Sequence, residues 1–160
     1  MARTSTGPPA SIRRATADDL ELVLRRRLAF LAELREVAEP SLAPDFVATT
    51  RRFLERTHCT SFLSWIAEID QHDVGIVSII ISDAPPRPEE LRDLDGYVVN
   101  MHVDAPYRSQ GIGRLLLDRA VADSAAMGVR RFTLHTTEDG RPLYESTGFT
   151  EEPGWMQRYL

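Results

Sequence analysis

The chain has 160 residues, a net charge of −5 and one cysteine, Cys59. That size fits a single domain, the charge argues against nonspecific nucleic-acid binding, and a lone cysteine excludes an internal disulfide and suits a reducing, cytoplasmic setting. No apolar run approaches the ~18 residues that a membrane span needs; the longest, Gly75–Ile81, reads as a buried strand.

Met1–Ala10 is rich in Ser, Thr, Gly and Pro and is expected to be a frayed, disordered tail, leaving 11–160 as the folded domain. Ser11–Arg14 opens as a strand. Thr16 with Asp19 three positions on has the pattern of a capping box, and Leu20, Leu24, Leu28 and Leu31 then recur at helical spacing, predicting a helix to about Glu36. Within it, Arg25-Arg26-Arg27 reads as a solvated face. Pro40 and Pro44 interrupt, and Asp45–Arg56 is expected as a second helix. Phe62–Ile69 alternates Leu63, Trp65, Ala67 and Ile69 on one face, as a strand does. Asp70-Gln71-His72-Asp73 turns it into Val74–Ser82, a hairpin partner.

Prolines and charges mark Asp83–Asp93 as a loop. Tyr97–Val103 is the next strand and Ile112–Met127 the next helix, closed by Gly128. Arg131–Thr136 is a further strand, Pro142–Thr147 a short helix, and a last strand falls near Trp155–Tyr159. Neither His58, beside Cys59, nor His72, in a turn, has metal-ligand spacing, so no metal site is expected.

The chemistry concentrates in Tyr107-Arg108-Ser109-Gln110-Gly111-Ile112-Gly113-Arg114. A strand that passes through a glycine-punctuated loop into a helix makes an anion site. The first helical N–H groups lack intrahelical partners and carry the positive end of the helix dipole. Gly111 and Gly113 allow close backbone approach, Arg108 and Arg114 can add full charges, and Ser109 is placed to cap the helix or touch a phosphate. Two familiar phosphate motifs do not fit. A Walker loop needs Gly-Lys-Ser/Thr, and this sequence contains no lysine; the dinucleotide fingerprint fails at Leu116, where its third glycine belongs. A nucleotide-binding protein stays open as an alternative.

The spacing Arg108-x-x-Gly111-x-Gly113 resembles the pyrophosphate loop of the GNAT acyltransferases, which bind acetyl-coenzyme A. A second segment adds to the resemblance. In His135-Thr136-Thr137-Glu138-Asp139-Gly140-Arg141-Pro142-Leu143-Tyr144-Glu145-Ser146-Thr147-Gly148-Phe149, Asp139-Gly140 is a turn, Pro142 suits a helix start and Gly148 a helix end. The Leu-Tyr pair, three residues and then Gly-Phe match the family's ending. The element order agrees with the family's topology, which implies an α/β fold with a mixed, mostly antiparallel central sheet flanked by helices.

The resemblance implies an acetyl-CoA-dependent N-acetyltransferase in which a primary amine attacks the thioester directly. Acetyl-CoA is then the co-substrate, with no metal. Its coenzyme-binding residues carry over to Met101, His102, Val103, Arg108, Ser109, Gln110, Gly111, Ile112, Gly113 and Arg114, with Tyr144 as general acid. A glutamate that serves some relatives as base is replaced here by Tyr97, which leaves a water chain or one of Asn100, His102 and His135 as alternatives. Thr137 stands where the family often has asparagine. Phe30, Glu33, Phe46 and Trp155 are conceivable acceptor walls. The partner expected is a small-molecule or peptide amine, with no nucleic acid or membrane, and a homodimer is possible for such folds. A non-catalytic acyl-CoA sensor of the same fold is the alternative.

Overall fold

The strands lie side by side in chain order, antiparallel from the first through the fourth and parallel between the fourth and fifth. The computed structural model describes residues 10–35, 42–86, 88, 91, 93–154, 156 and 158. Among these the elements are β1 (Ser11–Arg14), α1 (Leu20–Leu34), α2 (Pro44–Thr57), β2 (Phe62–Ile69), β3 (His72–Asp83), β4 (Leu94–Val103), α3 (Ile112–Ala126), β5 (Arg131–Thr133) and α4 (Arg141–Ser146). The expected mixed, mostly antiparallel sheet is therefore present.

At the entry to α1 the capping box forms. The Thr16 backbone N–H donates to Asp19 Oδ2 at 2.8 Å, and the Arg13 guanidinium donates to both Asp19 oxygens at 2.7 and 2.9 Å. A short 3₁₀ turn, Ala17–Asp19, precedes the helix, which ends at Leu34 rather than Glu36. In α2, Pro44 takes a first-turn position, where its missing N–H costs nothing.

The β2–β3 hairpin turns on Asp70 and Gln71 alone, with φ of 50° and 64°. Both residues left-handed is the type I′ geometry whose twist matches paired strands. His72 and Asp73 therefore belong to β3 and not to the turn, and β3 runs from His72 to Asp83. β4 begins at Leu94, three residues ahead of expectation, and the loop before it is pinched by the Ala84 N–H donating to the Asp93 carbonyl at 2.8 Å.

Successive strand residues face opposite sides, and both sides are covered. Leu63, Trp65, Val77, Ile79 and Val98 pack against Leu116, Leu117 and Ala120 of α3. The indole of Trp65 donates to Asp123 Oδ2 of that helix at 2.8 Å. On the other side Phe62, Ile66 and Ile76 meet Val23, Leu24 and Leu28 of α1 and Leu54 of α2.

The arginine run on α1 departs from its expected solvated face. Arg25 is exposed, but the Arg26 side chain is 4% exposed and is held by Asp73 Oδ2 and Asp104 Oδ1, each at 2.5 Å. Arg27 donates to Asn100 Oδ1 at 2.6 Å. The reason is placement: α1 crosses the end of the sheet where the hairpin supplies Asp73 and the exit of β4 supplies Asp104.

Three further expectations are adjusted. β5 is three residues, Arg131–Thr133, and not Arg131–Thr136, because the chain leaves the sheet after Thr133. α3 stops at Ala126, and α4 runs Arg141–Ser146. The final strand near Trp155–Tyr159 and the tail before Ala10 lie largely outside the described residues.

Candidate active site

β4 and β5 share only the rungs Asp95↔Arg131, Gly96↔Phe132 and Tyr97↔Thr133. β4 continues to Val103 with β3 on its other edge. Among the described residues it has no strand partner on the β5 side beyond Tyr97. The two strands thus open into a fork, and six residues of β4 border the gap.

A bulge occupies the middle of that stretch. Ser78 pairs with Val99 and Ile76 with His102, so Asn100 and Met101 together oppose Val77. Asn100 takes φ 54°, uncommon for a non-glycine residue. The bulge sorts the side chains that follow. Met101 and Val103 face the α3 layer, whereas His102 faces α1, near the Phe30 ring at 6.1 Å.

The chain then turns through Ala105–Tyr107 into the loop before α3. Ser109 (φ 60°) and Gly111 (φ 84°) are both left-handed and exposed, and Gly111 is the N-cap. A Cβ on Gly111 would meet nothing within 4 Å, so only its backbone angle requires glycine, and the space above the loop is open. A Cβ on Gly113 would point at Leu143 of α4 (3.4 Å) and at Met101 and Val103 (4.0 Å each), into the cleft itself. The loop therefore offers the start of a 15-residue helix to a ligand in open space.

The side chains around this loop behave less simply than the motif implies. Ser109 makes no cap hydrogen bond to α3. Ile112 is buried in the core, so only its backbone could meet a ligand. Gln110 donates back to the Pro106 carbonyl at 3.0 Å, and Arg114 pairs with Asp118 at 3.5 Å. The Arg108 guanidinium is bound to the Val103 carbonyl (2.7 Å) and to both Glu33 oxygens (2.6 and 2.8 Å), not left facing the loop. Glu33 also accepts from His102 Nε2 at 2.8 Å, and these contacts hold its carboxyl below the ordinary range, the His102 hydrogen bond first.

Tyr144 sits in α4, half-buried, packed on the same layer as Met101 and Val103 and edge-on to Phe149 at 5.8 Å. Burial pushes its phenol up to about 12. Among the described residues its hydroxyl has no hydrogen-bond partner. Thr137, in place of asparagine, closes the turn before α4: its hydroxyl accepts from the Gly140 N–H at 3.3 Å.

On the opposite side of the sheet, the Tyr97 hydroxyl lies 2.7 Å from His135 Nδ1, the rings meeting edge-on at 5.8 Å. Burial raises the Tyr97 phenol above its usual value. Asn100 lies on this side too, its amide 3.4 Å from Ser78 Oγ, which bonds Ser64 Oγ at 2.8 Å. The isolated histidines are structural: His58 Nε2 bonds the Thr16 carbonyl (2.7 Å) and His72 Nδ1 the Asp70 carbonyl (2.8 Å). No cluster of three or more metal-ligating side chains occurs among the described residues, and none of their helices is long and apolar enough to cross a membrane. A groove of about 1410 Å³ runs along β5 and α4 and is lined by Tyr97, Thr133, His135 and Tyr144; it does not include the 109–114 loop. Sequence reasoning paired neither Tyr97 with His135 nor Arg108 with Glu33, and the only available signal was the polar character of each position.

Comparison with known proteins agrees with this geometry. A predicted acetyltransferase from Clostridium acetobutylicum, solved with acetyl-CoA, is 24% identical with a TM-score of 0.83, the match covering 94% of this chain and 96% of that one. A GCN5-related N-acetyltransferase from Ralstonia eutropha is 30% identical with a TM-score of 0.76, covering 94% and 99%. An aminoglycoside acetyltransferase from an uncultured soil sample shares the fold at 20% identity and a TM-score of 0.72, covering 95% and 99%. No protein of curated function matches in sequence. The model of the acetyltransferase (GNAT) domain matches residues 60–151, more than half of the chain, and covers the fork, the loop and α4 alike. The chain is a member of the GNAT acetyltransferase family.

Proposed function

We propose that this protein transfers an acetyl group from acetyl-CoA to a primary amine by direct attack on the thioester. The observation that carries the reading is that three features meet around Gly113, where a Cβ would lie within 4.0 Å of Leu143, Met101 and Val103. The three are the open edge of β4 beyond Tyr97, the exposed helix start at Gly111, and the Tyr144 phenol on the same layer as Met101 and Val103. The solved relative from Clostridium acetobutylicum contains acetyl-CoA, which supports the same coenzyme here.

In this reading the backbone amides of residues 109–114 hold the diphosphate of the coenzyme, aided by the helix dipole. Backbone groups of Met101 and Val103, on the edge of β4 that faces away from β3, hydrogen-bond the arm and meet the charge that develops on the thioester oxygen. Such fixed dipoles need no reorganisation during reaction. Tyr144 donates its proton to the departing sulfur, whose conjugate acid lies near ~8.5. A phenol held up to about 12 stays protonated at neutral pH and is available as that donor.

The test is calorimetry with acetyl-CoA, followed by a panel of primary amines (polyamines, amino acids, aminoglycosides and a peptide amine) with thiol release and product mass recorded. Binding with release and a mass gain on one amine supports the assignment. The Tyr97 position, where no carboxylate stands, favours a second reading, a coenzyme-binding sensor without turnover; heat of binding with no thiol release for any amine would establish it. Heat with ATP but none with acetyl-CoA would discard both.

A further inference from the structure

An amine that becomes an amide must lose a proton, and the hydroxyl-bearing side chain at the apex of the fork on β4 is Tyr97. We propose that Tyr97 and His135 form a two-step proton relay, Tyr97 touching the amine and His135 receiving the proton through it. This rests on the N-acetyltransferase reading.

Position argues for the relay first. Tyr97 and Thr133 make the last rung before β4 and β5 separate, so Tyr97 stands at the apex of the fork. Its cross-strand partner is Ile80, which packs in the layer under α1 and α2 together with Val99. Directly opposed strand residues share a face, so Tyr97 faces that layer. Tyr144 packs in the layer of α3. A thioester lying in the gap is therefore met by a proton donor from one side of the sheet and by Tyr97 from the other. Both phenols, and His135, line one continuous groove.

The chemistry fits the pair better than either member. Burial holds the Tyr97 phenol protonated, so alone it has no capacity to accept a proton. With its O–H directed at His135 Nδ1, 2.7 Å away, it can receive one proton as it passes on another. The amine nitrogen bonds to the acyl carbon and the carbon–sulfur bond breaks. The amine proton moves to Tyr97 Oη while the original Tyr97 proton moves to Nδ1, and Tyr144 protonates the thiolate. The imidazolium and the Tyr144 phenolate then return to their starting states by exchange with water. His102, the histidine on β4, is 9% exposed and committed to Glu33, and so serves as a brace.

Among the described residues, the charged groups lining the groove are carboxylates (Asp95, Asp118, Glu145, Glu151 and Glu152) and guanidiniums (Arg131 and Arg141). None of these types ordinarily changes charge between pH 5 and 8, where an imidazole does. An acid limb in the rate is therefore the signature of the relay.

The experiment measures kcat and KM against pH for the best amine of the panel in wild type, Tyr97→Phe, His135→Gln and the double variant. Calorimetry with acetyl-CoA and thermal unfolding run alongside. Tyr97→Phe keeps the ring and removes only the hydroxyl, so folding is retained. The expected result is a ~10²-fold or greater fall in kcat for each single variant, loss of the acid limb in both, and a double variant no worse than either. Coenzyme affinity stays unchanged throughout. Wild-type kcat and pH profile in Tyr97→Phe, or losses that multiply in the double variant, would overturn the relay alone. A wild type that binds the coenzyme but acetylates no amine would overturn the relay and the transferase assignment together.

Discussion

The guanidinium of Arg108 and the carboxylate of Glu33 face each other at 2.6 and 2.8 Å, joining the loop before α3 to the end of α1. If the loop receives the coenzyme diphosphate, Glu33 competes with it for the same cation. The pair is half exposed on both sides, 43% and 52%, so solvent screens it to ~1 kcal/mol at most. Glu33→Gln is therefore expected to tighten acetyl-CoA binding by no more than about fivefold, the gain shrinking as salt is added. Weaker binding in the variant, measured by calorimetry, would show that Glu33 positions Arg108 and does not sequester it.

Tyr144→Phe removes the proposed donor without disturbing the edge-on contact with Phe149. Turnover should fall ~10²–10⁴-fold with coenzyme affinity unchanged. Because the phenol titrates only near 12, wild-type rates should show no basic limb from Tyr144 up to about pH 10. Steady-state rates of thiol release across pH check both statements, and an undiminished Phe variant removes Tyr144 from the reaction.

Arg26 should be among the costliest positions in the chain. Truncating a buried arginine deprives its carboxylates of a partner, here Asp104 and (apart from Arg25) Asp73, at a cost of at most about 3–5 kcal/mol. Arg26→Met is expected to lower the unfolding free energy from urea titration by that amount, and adding Asp73→Asn and Asp104→Asn to restore part of it. A loss under ~1 kcal/mol would mean that both carboxylates reach water on their own.

Asp19 should make stability depend on acid. Its hydrogen bonds from Arg13, followed by those from Thr16, hold its carboxyl well below the usual range. A lowered folded-state value means that the unfolded chain binds the proton more readily. The stabilisation is therefore complete above the ordinary carboxylate value of ~3.9 and is lost as pH falls below it. Arg13 is 38% exposed, so the effect is on the order of 1 kcal/mol after screening. Asp19→Asn should be less stable at pH 7 and show a flatter profile below pH ~4; equal slopes for both proteins in urea titrations would contradict this.

Local signals were legible in the sequence and distant ones were not. Thr16 and Asp19 announce a helix start because the interacting groups are three residues apart. The glycine loop and the Leu143-Tyr144 segment announce the cleft because each is continuous. Arg25-Arg26-Arg27 looked solvated because the carboxylates that hold Arg26 are far away in sequence, Asp73 by 47 residues and Asp104 by 78. Tyr97 and His135 are 38 apart and meet only because β5 pairs in parallel for three rungs and then departs. The early end of β5 has no local mark either, since Leu134 and His135 are ordinary strand residues. Arg108 was expected to address the loop, and only the end of α1 explains why it does not.

Asn100 acts on β4 as a one-base insertion acts on a gene. Upstream of it, odd-numbered Tyr97 and Val99 look toward α1; downstream, odd-numbered Met101 and Val103 look toward α3. Excising this single residue would invert everything after it, turning His102 toward the coenzyme's side and Met101 away. A substitution at Asn100 changes one side chain, but a deletion there rewrites the frame of the whole cleft.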